Sequence, residues 1–126
     1  MNKNNYASLE ASQRLVDAGI VLETDAHWYR DRAGHDYLAP FPTVTPHNSI
    51  PAPSMAEAWR ELPDEFQGGY LELGKHTTTK EHYAAYMIPT YHGDCEIERG
   101  VFSTNTNPTD ALIDLLIYIK GVDTPK

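Results

Sequence analysis

Histidine, cysteine and carboxylate side chains are the groups of this chain that are able to perform acid–base or metal chemistry. Asp25 and His27 stand two residues apart in a predicted strand, so their side chains should point to one face. His92, Asp94 and Cys95 place an imidazole, a carboxylate and a thiol in one short loop, and ligands of these kinds hold zinc. The six histidines and one cysteine nevertheless include no Cys-x-x-Cys or His-x-x-x-His spacing, so we expect neither a metal site nor a cofactor.

Nucleophilic catalysis is not indicated by the residues around Cys95. A catalytic thiol needs an oriented base and an oxyanion pocket, and no cysteine-protease signature surrounds this one. Asp94, Glu96 and Glu98 should share one strand face, where a solvated acidic edge that discourages strand pairing explains them. The sequence contains no Walker phosphate loop, dinucleotide-binding glycine motif, nucleophile-elbow serine or basic aromatic RNA-binding run. These observations favour a protein that is not an enzyme.

Aromatic residues are the feature of the sequence that most favours binding. The chain has eight tyrosines and two tryptophans, and many of the tyrosines fall in or beside predicted strands. Most should pack the sheet against helices, which leaves a few for an exposed patch. An aromatic patch rimmed by carboxylates suits a protein partner. The binding residues predicted on this ground are Trp28, Tyr37, Tyr86 and Tyr91.

Length and charge limit the class of protein. A chain of 126 residues corresponds to one domain, and its core should be large enough for stability without disulfide bonds or structural metal ions. Its net charge of −8 opposes binding to phosphate backbones. The lone cysteine fits a reducing compartment, and the first residues lack the apolar run of a signal peptide. We therefore expect a cytoplasmic protein that has no direct contact with nucleic acid or a membrane.

Two amphipathic helices are predicted in the first half of the chain. The first covers residues 8–18 and ends at Gly19, with Ser8 as its expected cap and Asn5 as an alternative, earlier start. The second begins at the capping box formed by Ser54 and Glu57 and stops at Pro63. Its core-facing stripe follows the i, i+3, i+4, i+7 spacing and consists of Met55, Ala58, Trp59 and Leu62. A Met and Trp stripe at this spacing is typical of a core rather than of a ligand site.

A third helix is predicted from Asn107 to Lys120. Asn107 caps it, Pro108 suits its first position, and Gly121 should terminate it by adopting a left-handed conformation. Its six Leu and Ile residues are too many for one narrow stripe, so the helix must be covered on most of its circumference. At about 21 Å it is too short to span a membrane.

The remaining segments read as strands and a connector. Residues 25–30 and 35–38 should form a hairpin with Gly34 in its turn. Residues 70–75 and 81–88 should form another, with Pro89 ending its second strand. A further extended segment leads from about Glu96 to Thr104, bent near Gly100, into the last helix.

These elements predict an α+β fold, in which an antiparallel sheet of about five strands carries three helices mainly on one face. Residues 1–126 form a single domain, with residues 1–6 as a flexible tail. Residues 39–53 contain five of the nine prolines, which is typical of a rigid, extended connector or of a site that meets a partner, and we favour the connector.

Three separated motifs resemble a known group of proteins. They are Tyr6-Ala-Ser-Leu-Glu10, the stretch from Ile50 to Pro63, and Asn107-Pro-Thr-Asp-Ala-Leu112. Together they look like small proteins of gut bacteria and of their phages and mobile elements, a group with no assigned activity. The resemblance implies a cytoplasmic accessory protein, and it implies no activity, cofactor or site residue.

Three functions follow as hypotheses. The first is a non-enzymatic accessory protein of a phage or mobile element that binds another protein, with a homo-oligomer as one form of that binding. The second is a small metal-dependent or thiol hydrolase that uses residues among His27, His92, Asp94 and Cys95. The third is an acidic mimic of nucleic acid that inhibits a DNA-binding partner.

Overall fold

The computed structural model describes residues 3–41, 49–92 and 94–123, and it describes their side chains except at positions 4, 89–101, 122 and 123. After a 3-10 turn at Lys3–Asn5, the described chain forms α1 (Leu9–Asp17), β1 (Ala26–Arg30), β2 (Asp36–Pro40), β3 (Ile50–Pro51), α2 (Met55–Glu61), β4 (Glu65–Phe66), β5 (Gly69–Lys75), β6 (His82–His92), β7 (Asp94–Asn105) and α3 (Pro108–Asp123). The predicted α+β class and its three α-helices are confirmed.

The predicted caps begin all three α-helices. Ser8 accepts a hydrogen bond from the backbone N–H of Ala11 at 3.1 Å, and Asn107 accepts one from Thr109 at 2.8 Å. In α2 the capping box is complete, because Ser54 and Glu57 each accept from the other's backbone N–H.

The end of α3 differs from the prediction. This helix continues through Gly121 to Asp123, and Gly121 is not among the described residues with positive φ. A helical glycine costs only about 1 kcal/mol relative to alanine, so a helix fixed by tertiary packing passes through one.

The strands form two antiparallel sheets. One has the order β2-β1-β3 and the other the order β4-β5-β6-β7. The predicted single sheet of about five strands is therefore not what the described residues form. The division falls at the proline-rich stretch, of which Ala39 and Pro40 end β2, while Ile50 and Pro51 form a short edge strand on β1. Residues 42–48 of the predicted connector lie outside the described residues.

Pro89 does not end β6, which runs to His92. The backbone N–H and C=O groups of Tyr83, Ala85 and Met87 point toward β5. Pro89 is two residues further along, so its backbone nitrogen points to the same side. The last β5 partner in this ladder is Tyr70, which pairs with Met87. Pro89 therefore lies beyond β5 and removes no ladder hydrogen bond, which is the condition under which a strand tolerates proline.

The core is formed where α3 packs on the four-stranded sheet and on α1 and α2. The helix buries Leu112, Ile113, Leu115, Leu116 and Ile119, with Ile117 partly buried, which confirms the predicted covering of its circumference. Ala84 and Tyr86 supply the facing surface of β6. None of the described helices has the length and apolar character that crossing a bilayer requires.

Two buried carboxylates join distant segments through backbone amides. Asp110 in the first turn of α3 accepts from Ser8 N–H at 2.7 Å, across 102 positions of sequence. Glu57 of α2 accepts from Asp25 N–H at 3.1 Å while also closing its own capping box. Residues 3–6 belong to the predicted tail and lie beside the start of α2. Tyr6 forms an isolated β-bridge with Ser54, and the next residue, Ala7, donates its N–H to the carbonyl of Pro53.

Candidate functional site

The four-stranded sheet has a covered face and an opposite face, which we call the outer face. Leu71 and Leu73 of β5 and Tyr86 of β6 point to the covered face, where they pack into the core. Because side chains alternate along a strand, Tyr70 and Glu72 point the other way. Helix α3 therefore covers only one side of the sheet.

Aromatic and apolar side chains occupy the outer face. Tyr70 pairs in register with Met87, and Phe102 pairs with Ala85. Tyr70 is 41% exposed and Phe102 is 51% exposed, whereas Ala85 has no exposed surface. The larger side chains of the outer face thus close over Ala85 and present their own rings to solvent.

Tyr83 is held in place on the outer face by Gly74. A Cβ atom added to Gly74 would overlap the ring of Tyr83, so the phenol ring lies directly against the glycine backbone. The hydroxyl of Tyr83 donates to Glu72 at 3.1 Å, and the His76 ring stands 5.2 Å away between centroids. An aromatic ring fixed in this way contributes to binding without a further loss of rotamer freedom.

A second surface is an apolar groove of about 680 Å³ beside α2, which we call the Trp59 groove. Its walls include Tyr6, Met55, Ala56, Trp59, Arg60 and Leu73. Trp59 was predicted to face the core, but it is 40% exposed, while its stripe neighbours Ala58 and Leu62 are buried. The only signal of this in the sequence is the position of Trp59 at the margin of the stripe, next to a charged residue.

The four predicted binding residues do not form one patch. Trp28 lies in the wall of a cleft of about 1090 Å³ between α1 and the three-stranded sheet, and its Nε1–H donates to the carbonyl of Ala7 at 2.9 Å. Tyr37 stacks on Tyr29 across β1 and β2, with ring centroids 5.6 Å apart.

The other two predicted residues belong to the four-stranded sheet. Tyr86 is 1% exposed in the core and donates from its hydroxyl to the carbonyl of Pro63 at 2.6 Å, so its ring is not presented to a partner. Burial, reinforced by the charge of Asp64, raises the pKa of Tyr86 to about 12. Tyr91 lies on β6, and its side chain is outside the described residues.

The residues considered for chemistry are also separate. His27 places Nδ1 2.8 Å from Oγ of Ser49 and stacks on Phe41 with centroids 4.0 Å apart, and burial lowers the pKa of His27 below its ordinary value. Asp25 donates its backbone N–H to Glu57, and the described polar partner of the His27 ring is Ser49 rather than Asp25. Within the described part of the chain no three His, Cys, Asp or Glu residues come together as a metal site would require. The side chains of His92, Asp94 and Cys95 lie outside the described residues.

Comparison of the chain with protein-family models, with curated proteins and with solved structures finds no match in any of the three. The outer face and the Trp59 groove are thus the two surfaces from which function is inferred. Both combine exposed aromatic area with a fixed backbone, which is the combination that protein interfaces use for their central contacts.

Proposed function

We propose that this protein is a non-enzymatic accessory protein that acts by binding another protein through the outer face of its four-stranded sheet. The observation that carries the proposal is the exposure of Tyr70 and Phe102 on the sheet face opposite α3. Tyr70 of β5 and Phe102 of β7 flank Met87 and Ala85 of β6 on this face, and an exposed apolar surface on a monomer often marks an interaction site.

The chemistry of the outer face supports a protein as the partner. Tyrosine and phenylalanine bury a large apolar area with few rotatable bonds, which makes them frequent central contacts of interfaces. Tyr83 is already fixed by Gly74 and by its hydrogen bond to Glu72, so partner binding would not have to order it. The net charge of −8 makes a protein a better partner than an anionic polymer.

The accessory role is supported by the resemblance of three motifs to small proteins of phages and mobile elements. A cytoplasmic partner, encoded by the host or by the element, is the binding partner this role requires. A second copy of the chain is the other form of the same proposal, because the outer face could pair with itself across a two-fold axis.

The experiment compares capture of partners by the native chain and by a double substitution, Tyr70→Ser with Phe102→Ser. Crosslinking in the native host, followed by affinity purification, should recover a specific protein with the native chain and lose it with the double variant. Light scattering over a range of concentrations, applied to the native chain and to the double variant, tests whether the chain associates with a second copy of itself through the outer face.

The matched control is Tyr118→Ser, because Tyr118 is equally exposed but lies on α3 rather than on the outer face. This variant should keep the partner. Equal loss of the partner from control and double variant, or clean turnover of a substrate that a point substitution abolishes, would contradict the proposal.

A further inference from the structure

Strand β5 has an edge that β4 covers only at its beginning. β4 pairs Phe66 with Gly69 and Glu65 with Tyr70. The next hydrogen bond along the same edge of β5 runs from Leu71 N–H to the carbonyl of Asp64 at 3.2 Å. Backbone groups alternate sides along a strand, so Leu73 and Lys75 direct their N–H and C=O groups to the same side as Leu71. No described residue forms a hydrogen bond with these groups.

The uncovered edge opens beside the Trp59 groove. Leu73 belongs to both features, since it lies on the edge and also forms a wall of the groove with Met55 and Trp59. A strand added along Leu73 and Lys75 would place alternate side chains on the groove side of the sheet. A partner segment could thus be held by backbone hydrogen bonds and by one apolar side chain packed against Trp59.

The charges around the groove favour an acidic segment. Arg60 lines the groove, and Lys75 is exposed two residues beyond Leu73 on the same side of β5. The α2 carboxylates lie elsewhere, because Glu57 is turned into the interior and Glu61 follows it one helical turn later.

Asp64 lies at the start of this edge, where its carbonyl accepts from Leu71 N–H, so an acidic segment would carry its carboxylates toward Lys75 and Arg60 rather than beside Asp64. At physiological ionic strength a screening length of about 8 Å weakens the repulsion from the other acidic residues of the chain.

We propose that the edge of β5 and the Trp59 groove together bind an extended, acidic segment of a partner protein by strand addition. The segment pairs its backbone with Leu73 and Lys75, inserts a Leu, Ile or Phe side chain beside Trp59, and places a carboxylate near Arg60. A helical ligand would fill the groove without using the edge, because its own backbone groups are already paired. This site is separate from the outer face, so it does not depend on the function proposed above.

The first test is selection of ligands for the full chain from a display library of random dodecapeptides. Selected sequences should alternate apolar residues with others and be enriched in Asp and Glu. The best peptide is then synthesised with a fluorescent label, and its affinity is measured by anisotropy. A second version carries N-methyl groups on the amides that would face β5, which removes the donors but keeps the side chains.

N-methylation should weaken binding by about 10-fold or more, since each loss of about 1.4 kcal/mol is tenfold in affinity. Trp59→Ala should weaken it by about 30-fold, the effect of a central interface aromatic. Arg60→Glu, at an exposed position, should weaken the acidic peptide more than a neutral one. The matched control Glu61→Lys, on the other side of α2, should change affinity by less than about 2-fold.

Hydrogen exchange gives an independent readout, because the amide of Leu73 should become protected only when the peptide is bound. Three results would overturn the proposal: no saturable peptide ligand, equal affinity of the N-methylated peptide, or unchanged binding to Trp59→Ala. Phe102→Ser should leave peptide affinity unchanged, so the result is independent of whether the outer face binds a partner.

Discussion

The two faces of the four-stranded sheet are built from the same strands but serve opposite needs. On the covered face Ala84 and Tyr86 meet the aliphatic residues of α3, and water is excluded. On the outer face Tyr70 and Phe102 keep about half of their surface in solvent. We therefore expect the covered face to determine stability and, under the proposed function, the outer face to determine binding.

The contrast is sharpest along β6, where the side chains of consecutive residues point to opposite faces of the sheet. Tyr86 donates its hydroxyl to a backbone carbonyl inside the protein, whereas Tyr83 lies on Gly74 and donates to the carboxylate of Glu72. Both tyrosines satisfy their polar end, yet only Tyr86 is part of the hydrophobic core. Residue type alone does not assign a role, and the direction of the side chain does.

The largest difference between the faces should be seen in Leu116→Ala. Leu116 is fully buried in α3, so truncation removes apolar contacts and leaves a cavity that costs about 3 to 4 kcal/mol of unfolding free energy. Chemical denaturation followed by circular dichroism measures the loss as a lower midpoint. A cost below about 1 kcal/mol would mean that the covered face is not the stabilising one.

Removing a buried carboxylate from the covered side should have the next largest effect. Asp110→Ala leaves the half-buried Ser8 N–H without its acceptor, which should cost about 1 to 2 kcal/mol. Asp110→Asn keeps an acceptor oxygen but removes the charge, so it should cost less. Urea denaturation of the two variants orders them, and equal costs would show that the hydrogen bond is unimportant.

Tyr86→Phe should cost about 1 kcal/mol at neutral pH through loss of the hydrogen bond to Pro63. The native protein should also lose stability between pH 10 and about 12, because the unfolded chain releases the phenol proton near 10.0 while the folded chain retains it to about 12. The free energy of unfolding then falls as pH rises. Tyr86→Phe should lack this part of the alkaline slope, and an identical slope would contradict the shift.

The smallest change in stability should come from Phe102→Ala. Phe102 is on the outer face, so its truncation should alter the unfolding free energy by no more than about 0.5 kcal/mol. Thermal denaturation beside Leu116→Ala provides the measurement. A loss comparable to that of the core variant would remove the distinction between the two faces.

Local features of the fold could be predicted from the sequence because the groups that determine them are neighbours in the chain. Ser8, Ser54 and Asn107 cap their helices as expected, and the bend expected near Gly100 coincides with a register shift opposite Ala85 and Met87. Gly121 and Pro89 behaved differently from their intrinsic preferences because tertiary packing and ladder position decided their conformations.

The non-local features could not be predicted. Along β6 both sets of alternate residues contain an alanine, a tyrosine and a larger aliphatic residue, so the sequence does not indicate which set faces α3. For that reason Tyr86 was predicted at a surface, although it lies in the core. The separation into two sheets and the exposure of Trp59 likewise depend on contacts between distant segments.

The hydrogen bond between Ser8 and Asp110 has a consequence for synthesis of the chain. Ser8 is synthesised 102 positions before Asp110, so its amide finds its acceptor only after α3 has left the ribosome. Until then the nascent protein displays the aliphatic residues meant to meet that helix, which makes them available to chaperones and proteases. Products truncated before α3 should therefore be degraded rather than accumulate.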